Sequence, residues 1–544
     1  MIENSEKDFR KISVLVKNGI FSSDEVENEI IASLLKKRFK ISNLRNFPYI
    51  KKKKVLEKVS EISGFKIVDL DFIDFNYNFA TKFNFTELIK FSILPINEKQ
   101  ITIADPFSSK TEKFIKKSFH SGVEISLSEE EKIFEYLQKM QVENAILGDF
   151  KSDLIAENEK VIFELINSIL ENAISKRASD IHIEPTENSC LIRFRIDGIL
   201  IKSFIFDKEI FNPLSSKIKL LSNLDIAERR VPQDGRFSKR IGNINFDFRV
   251  STLPTVVGES IVLRILDSTK TAISLHSAGM TEENYGRFFK SLKLSHGIIL
   301  VTGPTGSGKT TTLYGALNEI KDVKDKIITV EEPVEYQLEM IQQVNVDREA
   351  GLDFTKVLRN ILRQDPDKIM IGEIRDRETL QIAIEASLTG HLVFSTLHTN
   401  DSVGAITRIF DMGIEPYLLS GSLLLVQAQR LVRKICESCK MEFEIENLSF
   451  NERILDLIPK NGRLYRGKGC NKCSNTGYLG REMICEVLEI DDEIASLISA
   501  RKSKSKILQK ARDNYGFKTM LEIGIEKAFS GVTTIDEVLR ATRS

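Results

Sequence analysis

The sequence predicts a multidomain α/β protein whose largest part is a parallel sheet covered by helices. Three observations lead there. The chain has 544 residues, enough for about three or four domains at roughly 100–200 residues each. Short, fully apolar runs alternate with helical-period segments in its second half: GIILVTG, KIITVEE, KIMIGE and HLVFSTLH. Strands buried on both faces of a parallel sheet have this pattern. The first of these runs also leads through a glycine-rich loop into a helix-forming stretch.

Composition excludes several classes. The 78 Lys plus Arg balance 78 Asp plus Glu, so a global basic field for coating nucleic acid or anionic lipid is excluded, although a local patch is not. No apolar run approaches the roughly 18 residues needed to cross a bilayer. The N-terminus MIENSEKDFRKISVLVKNG mixes acids and bases where a signal peptide needs a clean apolar stretch, and the chain reads as cytosolic. Its 6 Cys are too few for a disulfide scaffold, and four of them fall in two CxxC pairs.

Taken in order, residues 1–150 carry a helical-period stretch from Asp24 to Lys40, a basic run from Lys51 to Lys54 that reads as solvated surface or loop, and a strand from Ile101 to Ala104 before Asp105-Pro106. The charged segment 129–157 contains a Gly-Asp break, and a flexible connection is expected near 147–157, ahead of an apolar-periodic helix from Val161 to Ala173. Residues 158–268 then read as an α+β domain, because CLIRFRIDGIL and FDFRVSTLP alternate apolar with polar residues and ESIVLRIL follows a Val-Gly turn. A boundary is expected at Asp267 to Ala278. Residues 276–544 hold the parallel sheet, a loop-rich insert at 436–473 and a tail at 480–544 that reads as helical. No 20–50-residue repeat or low-complexity tract appears.

The glycine-rich loop is the strongest chemical signal. Gly303, Pro304, Thr305, Gly306, Ser307, Gly308, Lys309 and Thr310 fit GxxxxGK[ST] between the strand GIILV and the helix TTTLYGALNEI, and Thr311 continues that helix. Glycines let backbone N–H groups turn onto phosphate oxygens without a Cβ clash. The helix start adds its positive dipole end, Lys309 reaches the β- and γ-phosphates, and the Thr310 hydroxyl is placed for Mg²⁺. The expected cofactors are ATP and Mg²⁺.

Hydrolysis also needs a metal anchor, a positioned water and cations for the developing charge. The strand KIMI ends in Gly372-Glu373, a Walker B strand with Glu as its acid, and the strand ITV ends in Glu331-Glu332-Pro333-Val-Glu335, three acids around a proline. A third strand ends in His398. Open α/β sheets place ligand-facing groups at this end, and a neutral His there donates one hydrogen bond to a γ-phosphate oxygen. His391, at the start of the same strand, reads as structural.

Cys436-x₂-Cys439 and Cys470-x₂-Cys473 have no His between them, so the ligand set is four thiolates. Such a shell suits structural Zn²⁺ with no open position. A pair of redox CxxC motifs is disfavoured because the βαβ context is missing. Cys190 and Cys485 lie in apolar strand patterns and read as core thiols.

Read together, these motifs resemble the hexameric assembly ATPases of type II secretion systems and type IV pili, within the secretion ATPase superfamily. The resemblance rests also on ASDIHIEP from Ala178, LDIAERRVPQDGR from Leu224, RVSTLP from Arg249, GEIRD from Gly372, TGHLVFSTLHTN from Thr389 and QRLVRKIC from Gln429. It implies a RecA-like P-loop domain, a preceding PAS-like α+β domain and an N-terminal adaptor. By the same matching, Glu335 is the catalytic base of an acidic box in which Glu332 stands where the family usually has Asp. Glu373 is the Walker B acid on the magnesium side, His398 belongs to a histidine box, and Arg249 and Arg264 reach the nucleotide from the neighbouring domain.

The partners implied are five further copies in a homohexamer, an inner-membrane platform protein and a cytoplasmic docking protein, with the chain peripheral at the inner membrane. The work implied is assembly of a secretion pseudopilus, a pilus or a DNA-uptake pseudopilus. The tetracysteine insert points to assembly and not retraction. No RLG motif occurs in the adaptor region, so cyclic di-GMP binding is not expected. Two rivals stand beside this reading: a RecA-like nucleic-acid motor, against which the neutral charge and absent Trp weigh, and a slow-turnover nucleotide-gated scaffold.

Overall fold

A computed structural model of the chain describes residues 52–148, 159–267, 275–276, 278–348, 350–443 and 463–542. The helix expected from Asp24 to Lys40 and most of the expected 147–157 connection lie outside the described residues. The chain divides into two compact units, Met1–Leu266 and Asp267–Ser544.

The first unit contains two sheets. A three-stranded sheet has the order β1 (Ile93–Asn97), β2 (Gln100–Ile103), β3 (Glu124–Leu127). Strands β1 and β2 pair antiparallel, whereas β2 and β3 are parallel and joined through the helix Ser109–Ser118. Of the basic run, Lys52 to Lys54 open the helix Lys52–Ser63, so these residues are not a loop. The helix Glu130–Gly148 extends into the start of the expected connection, because the run EEKIFEYLQKM keeps helical spacing up to the glycine.

The second sheet has six strands in the order β6, β5, β4, β9, β8, β7. They are β4 (Ala178–Pro185), β5 (Ser189–Ile196), β6 (Ile199–Asp207), β7 (Gln233–Ile241), β8 (Ile244–Pro254) and β9 (Glu259–Asp267). The helices Glu159–Ser175 and Phe211–Leu221 accompany it, burying Ile162, Ile166, Leu170, Leu214 and Ile218. One apolar core runs through the unit from Val55 to Leu263. Asp74 links the two sequence segments by accepting from Thr186, Asn188 and Ser189 at 2.9, 3.1 and 3.0 Å.

The second unit is built on a seven-stranded sheet in the order β12, β11, β13, β14, β10, β15, β18. Its strands are β10 (Gly297–Thr302), β11 (Ile327–Glu331), β12 (Gln342–Asn345), β13 (Lys368–Ile371), β14 (Leu392–Leu397), β15 (Leu423–Ile435) and β18 (Tyr478–Glu489). From β12 to β15 all neighbours are parallel, and β18 closes the edge antiparallel to β15. Strands β10, β11 and β14 are buried along their whole length, as their unbroken apolar runs require. A small ribbon of β16 (Lys440–Phe443) and β17 (Leu464–Gly467) sits between β15 and β18.

The tail is helical only from Asp492, in the helices Asp492–Ser499, Lys504–Tyr515, Met520–Phe529 and Ile535–Thr542. The part expected to be helical at 480–489 is strand β18. Met483 to Leu488 are all buried, and the pairing of this strand with β15 overrides local propensity. The Glu486 carboxylate fixes the join by accepting from Ser402 N and Met520 N, at 2.8 and 3.0 Å, at the starts of two helices. Cys190 and Cys485 are core thiols, each pushed up to about 12 by burial.

Candidate active site and cysteine centre

The parallel order brings four loops to one edge of the second unit. Thr302 of β10 lies beside Leu397 of β14, and Ile371 of β13 lies between Val330 of β11 and Ser395 of β14. The glycine-rich loop, Glu331 to Glu335, Glu373 and His398 therefore all leave the sheet at its carboxyl edge, where such sheets bind ligands.

The loop's conformation depends on glycine. Gly306 and Gly308 adopt φ of 78° and 88°, a region that disfavours Cβ-bearing residues. A Cβ on Gly303 would stand 2.5 Å from Ser307 Oγ. The helix that follows, Lys309–Ile320, starts on Gly308 without a side-chain cap, so its first N–H groups are offered to a ligand. Lys309 donates to the carbonyls of Gly303 and Pro304 at 2.9 and 3.2 Å, and partial burial lowers its pKa. Thr310 is exposed at the helix start, Thr311 half-buried, and Pro304 and Thr305 exposed at the tip. Ser307 Oγ is buried without a hydrogen-bond partner. An ammonium, free helix-start amides and an orphaned hydroxyl around one concave loop suit a polyphosphate with its cation.

The three acids after β11 are separated by environment. Glu331 is buried and accepts from Thr329 Oγ1 at 2.6 Å, from Gln343 Nε2 at 3.2 Å and from Tyr314 OH. Glu332 is gripped by Arg348 through Nε and a terminal nitrogen at 2.8 and 3.1 Å. Glu335 is half-buried, and its backbone N–H donates to Tyr314 OH at 3.4 Å. Tyr314, on the helix after the loop, thus ties that helix to the acidic turn. Burial, reinforced by the Glu331 carboxylate, raises its phenol pKa well above the usual value. The sequence reading missed Tyr314, Glu331 and Gln343 as a set. No sequence signal joins them, because they lie on a helix and two different strands.

Glu373 follows a glycine that lets β13 approach β11: Gly372 N donates to Val330 O at 2.8 Å, and a Cβ there would lie 3.2 Å from the same oxygen. The Glu373 carboxylate is ion-paired with Arg375 and lies 3.5 Å from His398 Nε2. The structure thus brings two of the expected residues, Glu373 and His398, into contact. His391 Nδ1 lies 2.9 Å from Ala386 O at a helix end. Arg249 and Arg264 belong to the first unit, on β8 and β9. Arg264 is exposed and paired with Asp180 at 3.0 Å, while Arg249 is half-buried. Arg193 and Arg195 of the same sheet pair with Glu184 and Asp180.

The four cysteines converge. Cys436 leaves β15, Cys439 precedes β16, and Cys470 and Cys473 follow β17. All four sulfurs lie within 4.8 Å of one another, with Cys436 to Cys470, Cys439 to Cys473 and Cys470 to Cys473 at 3.8, 3.9 and 3.7 Å. A tetrahedron with bonds of about 2.3 Å sets its sulfurs about 3.8 Å apart. Backbone N–H groups of Cys470 and Gly477 donate to Cys473 Sγ at 3.2 and 3.3 Å, the outer support a thiolate ligand needs. Gly469 and Gly477 make the turn with φ of 92° and 78°. The cluster can hold one metal ion.

The chain matches the family described as Type II/IV secretion system protein over residues 155–540. It is 47% identical over 391 residues to the Type II secretion system ATPase E of Vibrio cholerae, covering 72% of this chain and 77% of that protein. The Type II secretion system protein E of Pseudomonas aeruginosa is 48% identical over 388 residues, covering 71% and 76%. Among solved structures, the Legionella pneumophila ATPase DotB shares the fold with a TM-score of 0.51 at 21% identity, covering 69% of this chain and 94% of that one. The Yersinia pseudotuberculosis ATPase DotB does so with 0.52 at 20%, covering 69% and 92%. With its phosphate loop, strand-end acids and cysteine cluster, the chain belongs to the Type II/IV secretion system protein family and is a RecA-like P-loop ATP hydrolase.

Proposed function

We propose that the chain is the ATPase of a type II secretion machine and works as a homohexamer on the cytoplasmic face of the inner membrane. There it couples ATP hydrolysis to an inner-membrane platform protein that assembles pseudopilins. The observation that carries this reading is the meeting of loop, acids and His398 at one sheet edge in a chain nearly half identical to type II secretion proteins E. Among the described residues no helix is long and apolar enough to cross a membrane, and in this reading membrane attachment runs through partners. In this reading the segment up to residue 150 docks on the cytoplasmic partner, 158–268 carries the arginines and 276–544 carries the chemistry.

Lys309 exchanges the Gly303 and Pro304 carbonyls for phosphate oxygens. Glu335 accepts the proton of the attacking water and aims it, held by the Tyr314 contact at its backbone. Glu373 turns from Arg375 toward the cation side, and Thr310 supplies the hydroxyl ligand. A Mg²⁺ ion held there by Thr310 and Glu373 would supply neutralisation of the phosphate charge. His398 reads the terminal phosphate, and Arg249 and Arg264 of a closing unit stabilise the charge that develops, as arginine fingers do. Cys436, Cys439, Cys470 and Cys473 hold a structural Zn²⁺ that folds the insert.

The test is a Lys309→Ala allele in the source cell, scored for secreted proteins, surface pili and DNA uptake. Loss of secretion alone supports the reading. Retained secretion contradicts it, and loss of pili or uptake alone reassigns the machine.

A further inference from the structure

Strand β15 reads LLLVQAQRLVRKI, and its two glutamines are buried between β10 and β18, where side-chain amides are costly unless bonded. Gln427 and Gln429 are both fully buried. Gln429 Nε2 donates to the main-chain carbonyl of Ser307 at 2.8 Å. Its Oε1 accepts from Thr312 Oγ1, on the helix after the loop, at 2.9 Å, and from Gln427 Nε2 at 2.8 Å. The amide is thereby fixed in one orientation, with one of its two N–H donors given to the phosphate loop.

A planar trans peptide points its N–H opposite to its C=O. With the Ser307 carbonyl turned onto Gln429, the Gly308 N–H of the same peptide faces away from β15, into the concave side of the loop. A Cβ on Gly308 would lie 3.3 Å from Gln429 Nε2, so the amide also occupies the space behind that glycine. Two carbonyls earlier in the loop, Gly303 and Pro304, are taken by Lys309. The Pro304 carbonyl so engaged leaves the Thr305 N–H of the same peptide free for an anion, whereas the Gly303 carbonyl precedes Pro304, which has no N–H to offer.

We propose that Gln429 is a positioning residue for nucleotide binding: it locks the Ser307–Gly308 peptide so that Gly308 N–H is preset toward the nucleotide's phosphates. The inference rests on the reading of this loop as the ATP site. Without the Gln429 donor, the peptide is free to rotate, and a nucleotide must order it on binding. Affinity falls while turnover at saturation changes less.

The experiment uses the full-length chain with Mg·ADP and Mg·ATP. Binding is titrated with the purified protein, and KM and kcat are taken from phosphate release. Gln429→Met keeps the volume and removes the donor, and Thr312→Val removes the bond that orients the amide. Asn284→Leu serves as control, since Asn284 is also a buried amide in this unit, donating to Cys485 O at 3.0 Å. The proposal expects Gln429→Met to raise Kd and KM about 10- to 100-fold with kcat within about threefold. Thr312→Val moves the same way by less, and Asn284→Leu leaves Kd alone at an equal loss of melting temperature. An unchanged Kd in Gln429→Met overturns it, as does an equal loss in Asn284→Leu. Failure of the wild-type chain itself to bind Mg·ADP would instead count against the reading of the loop.

Discussion

Gly303 passes Gln429 so closely that a Cβ on residue 303 would lie 2.6 Å from the Gln429 main-chain oxygen. The end of β10 and the neighbouring β15 thus meet backbone to backbone directly beneath the phosphate loop. Gly303→Ala must push the loop away from β15. We expect at least a hundredfold loss of nucleotide affinity, together with destabilisation of about 1–3 kcal/mol from overpacking. Titration with Mg·ADP and thermal melting check both.

In the proposed mechanism Glu335 and Glu373 divide the chemistry, and their neutral variants separate the roles. Glu335→Gln keeps the shape and the backbone contact to Tyr314, so Mg·ATP binding stays within a few-fold of wild type while hydrolysis falls by about 10²–10⁴. Glu373→Gln raises the Mg²⁺ concentration needed for half-maximal activity. Nucleotide titrations and Mg²⁺ dependence of phosphate release read the two outcomes. Equal effects on binding and turnover in Glu335→Gln would remove it from the water-activating role.

The cysteine centre has a stoichiometric test. Metal analysis of the purified chain is expected to give about one Zn²⁺ per polypeptide, and Cys436→Ser or Cys473→Ser to lower it well below that. Because metal binding is folding energy in so small an insert, chelation should expose 436–473 to protease before the sheet unfolds. A metal-free chain with an intact insert would contradict the assignment.

Acid stability tests the C-terminal join. Glu537 is buried, which by itself raises its pKa, but hydrogen bonds from Arg540 and Arg433 outweigh burial and bring it down to about 2. Arg433 and Arg540 approach it at 2.7 Å. A carboxyl depressed in the folded state stabilises above its unfolded pKa of roughly 4.5, and that stability is lost as pH falls from there toward about 2. Glu537→Gln should cost on the order of 3 kcal/mol at neutral pH and flatten the acid limb between about pH 4.5 and 2. A melting curve against pH for both proteins checks it.

Much of this was legible in the residues. The strands GIILV, ITV, KIMI and LVFSTL are predominantly apolar runs without alternation, as strands buried on both faces require. Two CxxC pairs without an intervening His left one ligand set, and the four sulfurs do converge. The tail differs from its expected helix because β18 is held as a strand by pairing with β15, a partner more than 40 residues away in the chain. The triad of Tyr314, Glu331 and Gln343, and the amide of Gln429, were not legible either. A buried polar residue announces itself in sequence only when its partner is known, and these partners come from different strands and helices.

The most direct test is Mg²⁺-dependent phosphate release by the purified full-length chain, wild type beside Lys309→Ala. Lys309 donates to two loop carbonyls, and in the proposed mechanism it exchanges them for phosphate oxygens. The account predicts measurable ATP hydrolysis by the wild type and a loss of at least a hundredfold in the variant, with melting temperatures within a few degrees. Equal hydrolysis by the two proteins would contradict it.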